Sequence, residues 1–195
     1  MANANLTRGL IPVRMKGGRP YDGSYNVYYV PSSYATALYI GDPVITVTNS
    51  SDANGVPVVN RASAGGGTFI TGSIVGVIAA GQPVIPVLFN NPTYRQVSVA
   101  GYVLVADDPD TVFEVQENGN MGTGAPGRNV DLVSGSGTGA NYSGWQINSS
   151  TLATTNTLQM RVLRPAERVD NDPTSSNAKW WVYANLHTQR NLTGI

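Results

Sequence analysis

The chain is a series of short apolar runs punctuated by glycine, proline and asparagine. Nowhere does it sustain the i, i+3, i+4, i+7 spacing of an amphipathic helix. That pattern constrains the fold more than any motif does. The runs are rich in Val, Ile, Tyr and Thr, the residues that fit a pleated, half-buried surface. They lie at Ser24–Val30, Ala37–Ile40, Val44–Thr48, Val56–Asn60, Thr68–Ala80, Val84–Phe89, Gln96–Ala106, Thr111–Gln116, Asn129–Val133, Ser143–Asn148, Thr157–Leu163 and Lys179–Thr188. Alternation of apolar and polar residues is clearest in Val112–Gln116 and Leu158–Leu163, and reads as antiparallel strands with one wet face. The expected fold is all-β: an antiparallel β-barrel or sandwich with very little helix.

Punctuation sets the organisation. Thr68–Ala80 is long for one strand, and Gly72 and Gly76 are expected to mark bends or bulges. Residues 118–156 hold Gly119, Gly122, Gly124, Gly127, Gly135, Gly137 and Gly139 among many Ser and Thr. They predict a long Gly/Ser-rich loop excursion with short strands inside, either facing a partner or simply flexible. One echo exists: Gly41–Val47 matches Gly81–Val87 at five of seven positions, a proline-then-strand device too short to prove duplication. Residues 21–195 read as a single β domain, large enough to bury a core without staples.

Charge is scarce and uneven. Charged residues make up 12%, about half the ~25% usual for soluble domains. None occurs between Arg61 and Arg95. Arg8, Arg14, Lys16 and Arg19 all precede the first acid, Asp22. Residues 1–20 show no clear period, with Leu6, Leu10 and Ile11 set among these cations and glycines. They are expected to form an extended N-terminal docking arm, separable from the β body. Leu6, Leu10 and Ile11 would bury apolar surface while Arg8, Arg14 and Lys16 meet carboxylates. A net charge of zero does little to keep free monomers apart, which suits a surface that is covered in the working state.

Catalytic constellations are missing. There is no cysteine and a single histidine, His187, in a strand pattern that suggests a hydrogen-bonding rather than a general-base role. No Gly-x-Ser-x-Gly elbow is present, and Gly65–Gly67 is not followed by the Lys-Ser/Thr of a phosphate loop. Asp107–Asp110, with Glu114 and Glu117 beyond, is the one acidic group that could attract a hard cation. It reads first as a hairpin turn closed by Asp side chains, since Asp-rich turns are common without metal, and otherwise as a patch that receives a neighbour's basic arm. In Lys179–Tyr183, adjacent tryptophans point to opposite faces of a strand, so one can line a platform for bases or sugars while the other packs in the core. Asn-x-Ser/Thr at Asn5, Asn49, Asn141, Asn148 and Asn191 is what chance gives in such a composition. No apolar leader opens the chain, and Phe69–Ala80 is too short to span a bilayer.

The opening string Met1–Arg14, the Gly41–Val44 turn, Val103–Asp110 followed by Phe113–Glu117, and the closing Asn177–Trp181 together resemble the capsid cement, or decoration, proteins of tailed bacteriophages. The resemblance implies an all-β protein, often a homotrimer. Made in the host cytoplasm, it would be located on the outer capsid surface of the virion and would clamp neighbouring major capsid subunits. It implies no enzyme activity, no cofactor, no direct nucleic-acid contact and no membrane. Leu6, Arg8, Leu10, Ile11, Arg14 and Lys16 are the expected capsid contacts. Two alternatives stay open: another virion component (connector, tail or fibre), and a carbohydrate-binding β-module using Trp145, Trp180 or Trp181.

Overall fold

The computed structural model describes residues 3–78, 92–137 and 142–190. The predicted strand Val84–Phe89, the last two residues of Thr68–Ala80, the second copy of the Gly-Pro echo and the Asn141 and Asn191 sequons lie outside them.

The regular structure of the described chain is almost wholly strand, with two 3-10 turns, Ser149–Thr151 and Thr188–Arg190, as its helical elements. Five strands close a barrel in the order β2 (Asn26–Val30), β5 (Pro57–Arg61), β4 (Pro43–Ser51), β6 (Gly72–Ile78) and β8 (Gly101–Ala106). A second, five-stranded sheet runs β1 (Ile11–Met15), β9 (Thr111–Gln116), β14 (Lys179–Ala184), β13 (Met160–Pro165) and β10 (Asn129–Val130). Two small ribbons complete the fold: β3 (Leu38–Tyr39) with β7 (Tyr94–Arg95), and β11 (Leu132–Val133) with β12 (Gln146–Ile147). Pairing between these strands is antiparallel except between β2 and β5, which run parallel through Tyr29 and Val58.

Two cores follow from period-two patterning. Inside the barrel lie Val30, Val44, Val59, Ile74, Val77, Val103 and Val105. Beneath the sheet lie Phe113, Val115, Trp145, Met160, Val162, Trp180 and Val182. The second core also takes in Ala62, Ile70 and Ala106 from the barrel side, with Ile45 and Val75 packed against it. The barrel wall therefore serves as the opposing layer for the sheet, so barrel and sandwich expectations are both partly met. Each large apolar side chain withdrawn from water contributes about 1.5–3 kcal/mol.

Glycine marks the sharp places. The register of β6 on β8 shifts between Ile74 and Gly76, so Gly76 sits at a bulge as its position predicts.

Three expectations need correction. Gln96–Ala106 is strand only from Gly101; Val97 and Val99 are exposed in the turn before it. The excursion over 118–156 is not an exposed loop. The short strands expected inside it are present in its described part as β10, β11 and β12, but they and their turns deliver Ala125, Val130, Leu132, Trp145 and Ile147 to the core. Gly122 and Gly127 take positive φ in turns there, and Gly135 and Gly144 pass so close that a Cβ would meet backbone oxygen at 2.0 Å. The N-terminal arm is also not separable, because Ile11–Met15 is the edge strand β1, paired with β9 from Ile11–Glu114 to Met15–Thr111.

Candidate interaction face

The N-terminal segment is tied down along its whole described length. Asn3 exchanges hydrogen bonds with Asp172, donating to its carbonyl and accepting from its N–H, each at 2.8 Å. Gln116 accepts from the Leu6 N–H at 3.0 Å and donates to Asn5 Oδ1 at 2.9 Å. At Gly9 the chain turns with φ 68° and passes so close to Gly41 that a Cβ on either would meet the other segment's backbone oxygen at 2.2 Å or less. The Leu10 N–H donates to the Gly41 carbonyl, and Ser73 Oγ donates to the Leu10 carbonyl at 2.6 Å. Leu10 itself is fully buried in the sheet core. It therefore cannot offer its side chain to a partner, and its place among the contact residues is corrected: an apolar residue among cations served folding.

The other five expected contact residues gather on one side of the molecule. Leu6 (60% exposed), Arg8 and Ile11 line a groove of about 280 Å³ with Val13, Gln116 and Lys179. Arg14 and Lys16 continue along the outer face of the sheet. Alternation puts Met15 inside between them. On β14 the same alternation buries Trp180, Val182 and Ala184 and turns Lys179, Trp181 and Tyr183 outward. The division of the Trp180–Trp181 pair that strand geometry predicts is realised.

Arg14 then lies over the Trp181 ring at 5.2 Å and Lys16 over the Tyr183 ring at 4.4 Å. Arg164, from β13, lies over Trp181 as well, at 5.4 Å. Such contacts are worth about 0.5–1 kcal/mol each at exposed sites. Arg8 sits over Tyr142 at 5.3 Å. Trp181, half-buried, thus already carries two guanidiniums at its ring. Trp145 and Trp180 are both buried.

The acidic turn resolves in favour of local bonding, with one change. It is not a hairpin, because β8 belongs to the barrel and β9 to the sheet; Asp107–Asp110 is the crossing between them. Asp107 accepts from Asn26 Nδ2 at 3.0 Å and from the Tyr28 hydroxyl at 2.7 Å. The Tyr28 hydroxyl is held well above its usual pKa by burial, with the Asp107 carboxylate adding to the effect. Asp108 Oδ1 accepts from the Asp110 N–H, the Lys16 N–H donates to the Asp110 carbonyl, and Asp110 pairs with Arg190. The turn is met by this chain's own donors and cations. Among the described residues, no three His, Cys, Asp or Glu side chains are grouped to hold a metal ion.

His187 is 2% exposed at the seam where Ile70 and His187 bridge barrel and sheet. Its Nδ1 accepts from the Gln189 N–H at 3.1 Å, and burial pushes its pKa down, so it is a neutral packing residue. Glu117 is buried beside Trp180. Burial raises its pKa, against the Met121 N–H and the Trp180 indole, which favour the charged form. It has no acid–base partner in a cleft among the described residues. Sequence reasoning missed Arg95. It is 3% exposed and donates to the carbonyls of Val99, Pro31, Tyr34 and Thr36 at 2.7–2.9 Å, knitting two loops together. Its position as the first charge after the long uncharged stretch was the one available signal.

No protein-family model, no curated protein and no solved structure matches this chain.

Proposed function

We propose that this chain is a non-enzymatic structural component of a virus particle. In this reading it is a cement protein that binds the outside of an icosahedral phage head as a homotrimer and stabilises contacts between major capsid subunits. The observation that carries the proposal is the clustering of Leu6, Arg8 and Ile11 in one groove, with Arg14 and Lys16 beside it, on a segment pinned to a rigid β body. A contact surface held in place before binding loses little conformational entropy on docking. The resemblance in the opening and closing strings points the same way. A ligand that binds only the assembled lattice stabilises it by its own binding free energy, repeated at every site. A connector, tail or fibre role differs from this in copy number. A sugar-binding role is disfavoured because Trp145 and Trp180 are buried and the Trp181 ring already carries Arg14 and Arg164.

The test is quantitative mass spectrometry of purified particles, counting this chain against the major capsid protein. A ratio near one is expected. A very low ratio moves the chain to the portal, tail or fibre, and absence from the particle ends the reading.

A further inference from the structure

The outer face of the five-stranded sheet carries charge that the chain does not neutralise. Arg168 bridges Glu114 at 3.0 Å and Asp170 at 3.1 Å, and Arg164 pairs with Glu167. Arg14, Lys16 and Lys179 have no carboxylate within 4 Å among the described residues, although Lys179 shares its groove with Glu114 and Asp170 and helps hold the Asp170 carboxyl below its usual pKa. Arg14 and Lys16 are nevertheless aimed, because their heads rest on Trp181 and Tyr183. A cation–π contact fixes direction while leaving the positive charge in place.

Register gives the spacing. Tyr183 and Arg14 both pair with Val112, whereas Lys179 pairs with Gln116. Lys179 and Tyr183 are four residues apart on β14, about 13 Å at the strand rise. An extended chain presents same-side residues at every second position, so acids at i and i+4 match the two ends of the row. The Lys179 end adjoins the groove, where Leu6, Ile11 and Val13 offer an apolar contact beside the mutually paired Glu114, Arg168 and Asp170.

We propose that this face docks an acidic, extended segment of a protein partner, with one carboxylate on Lys179 and another on Arg14 and Lys16. The proposal deepens the cement reading and rests on it only for the source of the segment, a major capsid subunit. Docking is by side chains rather than by strand addition. The free edge of β1 is already occupied, since the Met15 N–H donates to the Arg19 carbonyl and the Tyr21 N–H to the Val13 carbonyl. A single-stranded nucleic acid fits less well. It carries a phosphate at every step, about 3.4 Å per strand residue in a duplex, and would set some against Glu114, Glu167 and Asp170. A base would also have to compete with Arg14 and Arg164 for the Trp181 ring.

The test uses the full chain, labelled for NMR, and a short extended peptide with glutamates four positions apart and an uncharged residue midway between them. Controls are the same peptide with glutamine and an oligothymidylate strand. The glutamate peptide is expected to shift the signals of Arg14, Lys16, Lys179 and Trp181, with affinity falling steeply as salt rises. The Arg14→Gln/Lys179→Gln double variant is expected to weaken it by roughly tenfold or more, while its unshifted core signals show an intact fold. No shifts on this face, equal binding of the glutamine peptide, or tighter binding of oligothymidylate would each overturn the proposal. Failure of the two readings is separable. If shells bind wild type and double variant equally, the docking face falls and the cement reading stands. If the chain is absent from particles but still takes the glutamate peptide, the cement reading falls and the face stands.

Discussion

The barrel and the five-stranded sheet solve the same problem with different residues. Across the five barrel strands the only charged residue is Arg61, whereas the sheet strands carry Arg14, Glu114, Arg161, Arg164 and Lys179. Closure removes the barrel's edges, and its small interior is filled mainly by Val and Ile. The sheet stays open, so it needs a second layer beneath it and something to do with its outer face. The barrel wall supplies the layer, large aromatics fill the gap, and cations stacked on rings cover the outside. A closed barrel can thus serve as pure scaffold, while an open sheet leaves a charged face available to the partner proposed above.

The sharpest way to break that contrast is to ask whether the two halves unfold together. All three tryptophans, Trp145, Trp180 and Trp181, lie on the sheet side, so their fluorescence reports that half while far-UV circular dichroism reports both. Shared residues such as Ala106 and Ile70 predict a single coincident transition. Two separate midpoints would show that barrel and sheet are independent units. On that background Trp180→Ala should cost about 3–5 kcal/mol and Ile74→Ala, in the barrel, about 2–5 kcal/mol. Each should lower both signals equally in denaturant titrations.

Arg95 tests whether the barrel side holds charge only as a structural tie. Arg95→Met removes a buried donor from four carbonyls and should cost about 3 kcal/mol. Arg95→Lys should recover little of that, because one ammonium cannot reproduce the guanidinium's fan of donors. Full rescue by lysine would show that charge, not geometry, matters there.

Gly41→Ala sharpens the seam between the two regions. With φ at 92° and the Arg8 carbonyl oxygen 2.0 Å from where a Cβ would stand, a side chain has no room. The expected cost is about 1–3 kcal/mol. The loss should appear first as faster hydrogen exchange at the Leu10 amide, which donates to Gly41.

His187 gives the pH dependence of the same seam. Burial lowers its folded pKa below the unfolded value near ~6.5. The unfolded chain therefore binds more protons there, and stability falls as pH drops below about 6.5. His187→Gln should flatten that part of the stability–pH curve; an unchanged slope would place the titration elsewhere. The smallest effect is expected at the exposed Arg164–Glu167 pair, where Glu167→Ala should change stability by less than about 1 kcal/mol.

Much of this was legible in the chain because strand periodicity and turn residues are local. Adjacency in a strand required that one of Trp180 and Trp181 be buried and the other turned outward, and Gly76 marked its bulge. Local signals failed where the deciding partner was distant in sequence. Leu10 looked like part of a basic arm until Ser73 and Gly41 were beside it. The glycine-rich stretch looked like exposed loop because its short runs, around Leu132 and Ile147, are separated by turn residues, with no long period to reveal that they reach one core with Ala125.

By itself, then, the sequence determined an all-β chain whose scarce charge is concentrated away from its middle, since both follow from side-chain period and composition. The tertiary structure alone decided that residues 11–15 close the edge of a sheet, that Asp107–Asp110 crosses between two sheets, and that Arg14, Lys16 and Lys179 share one face. Those outcomes depend on register between strands a hundred residues and more apart in places, and register is set by which apolar faces can be buried together, a property of the whole core rather than of any segment.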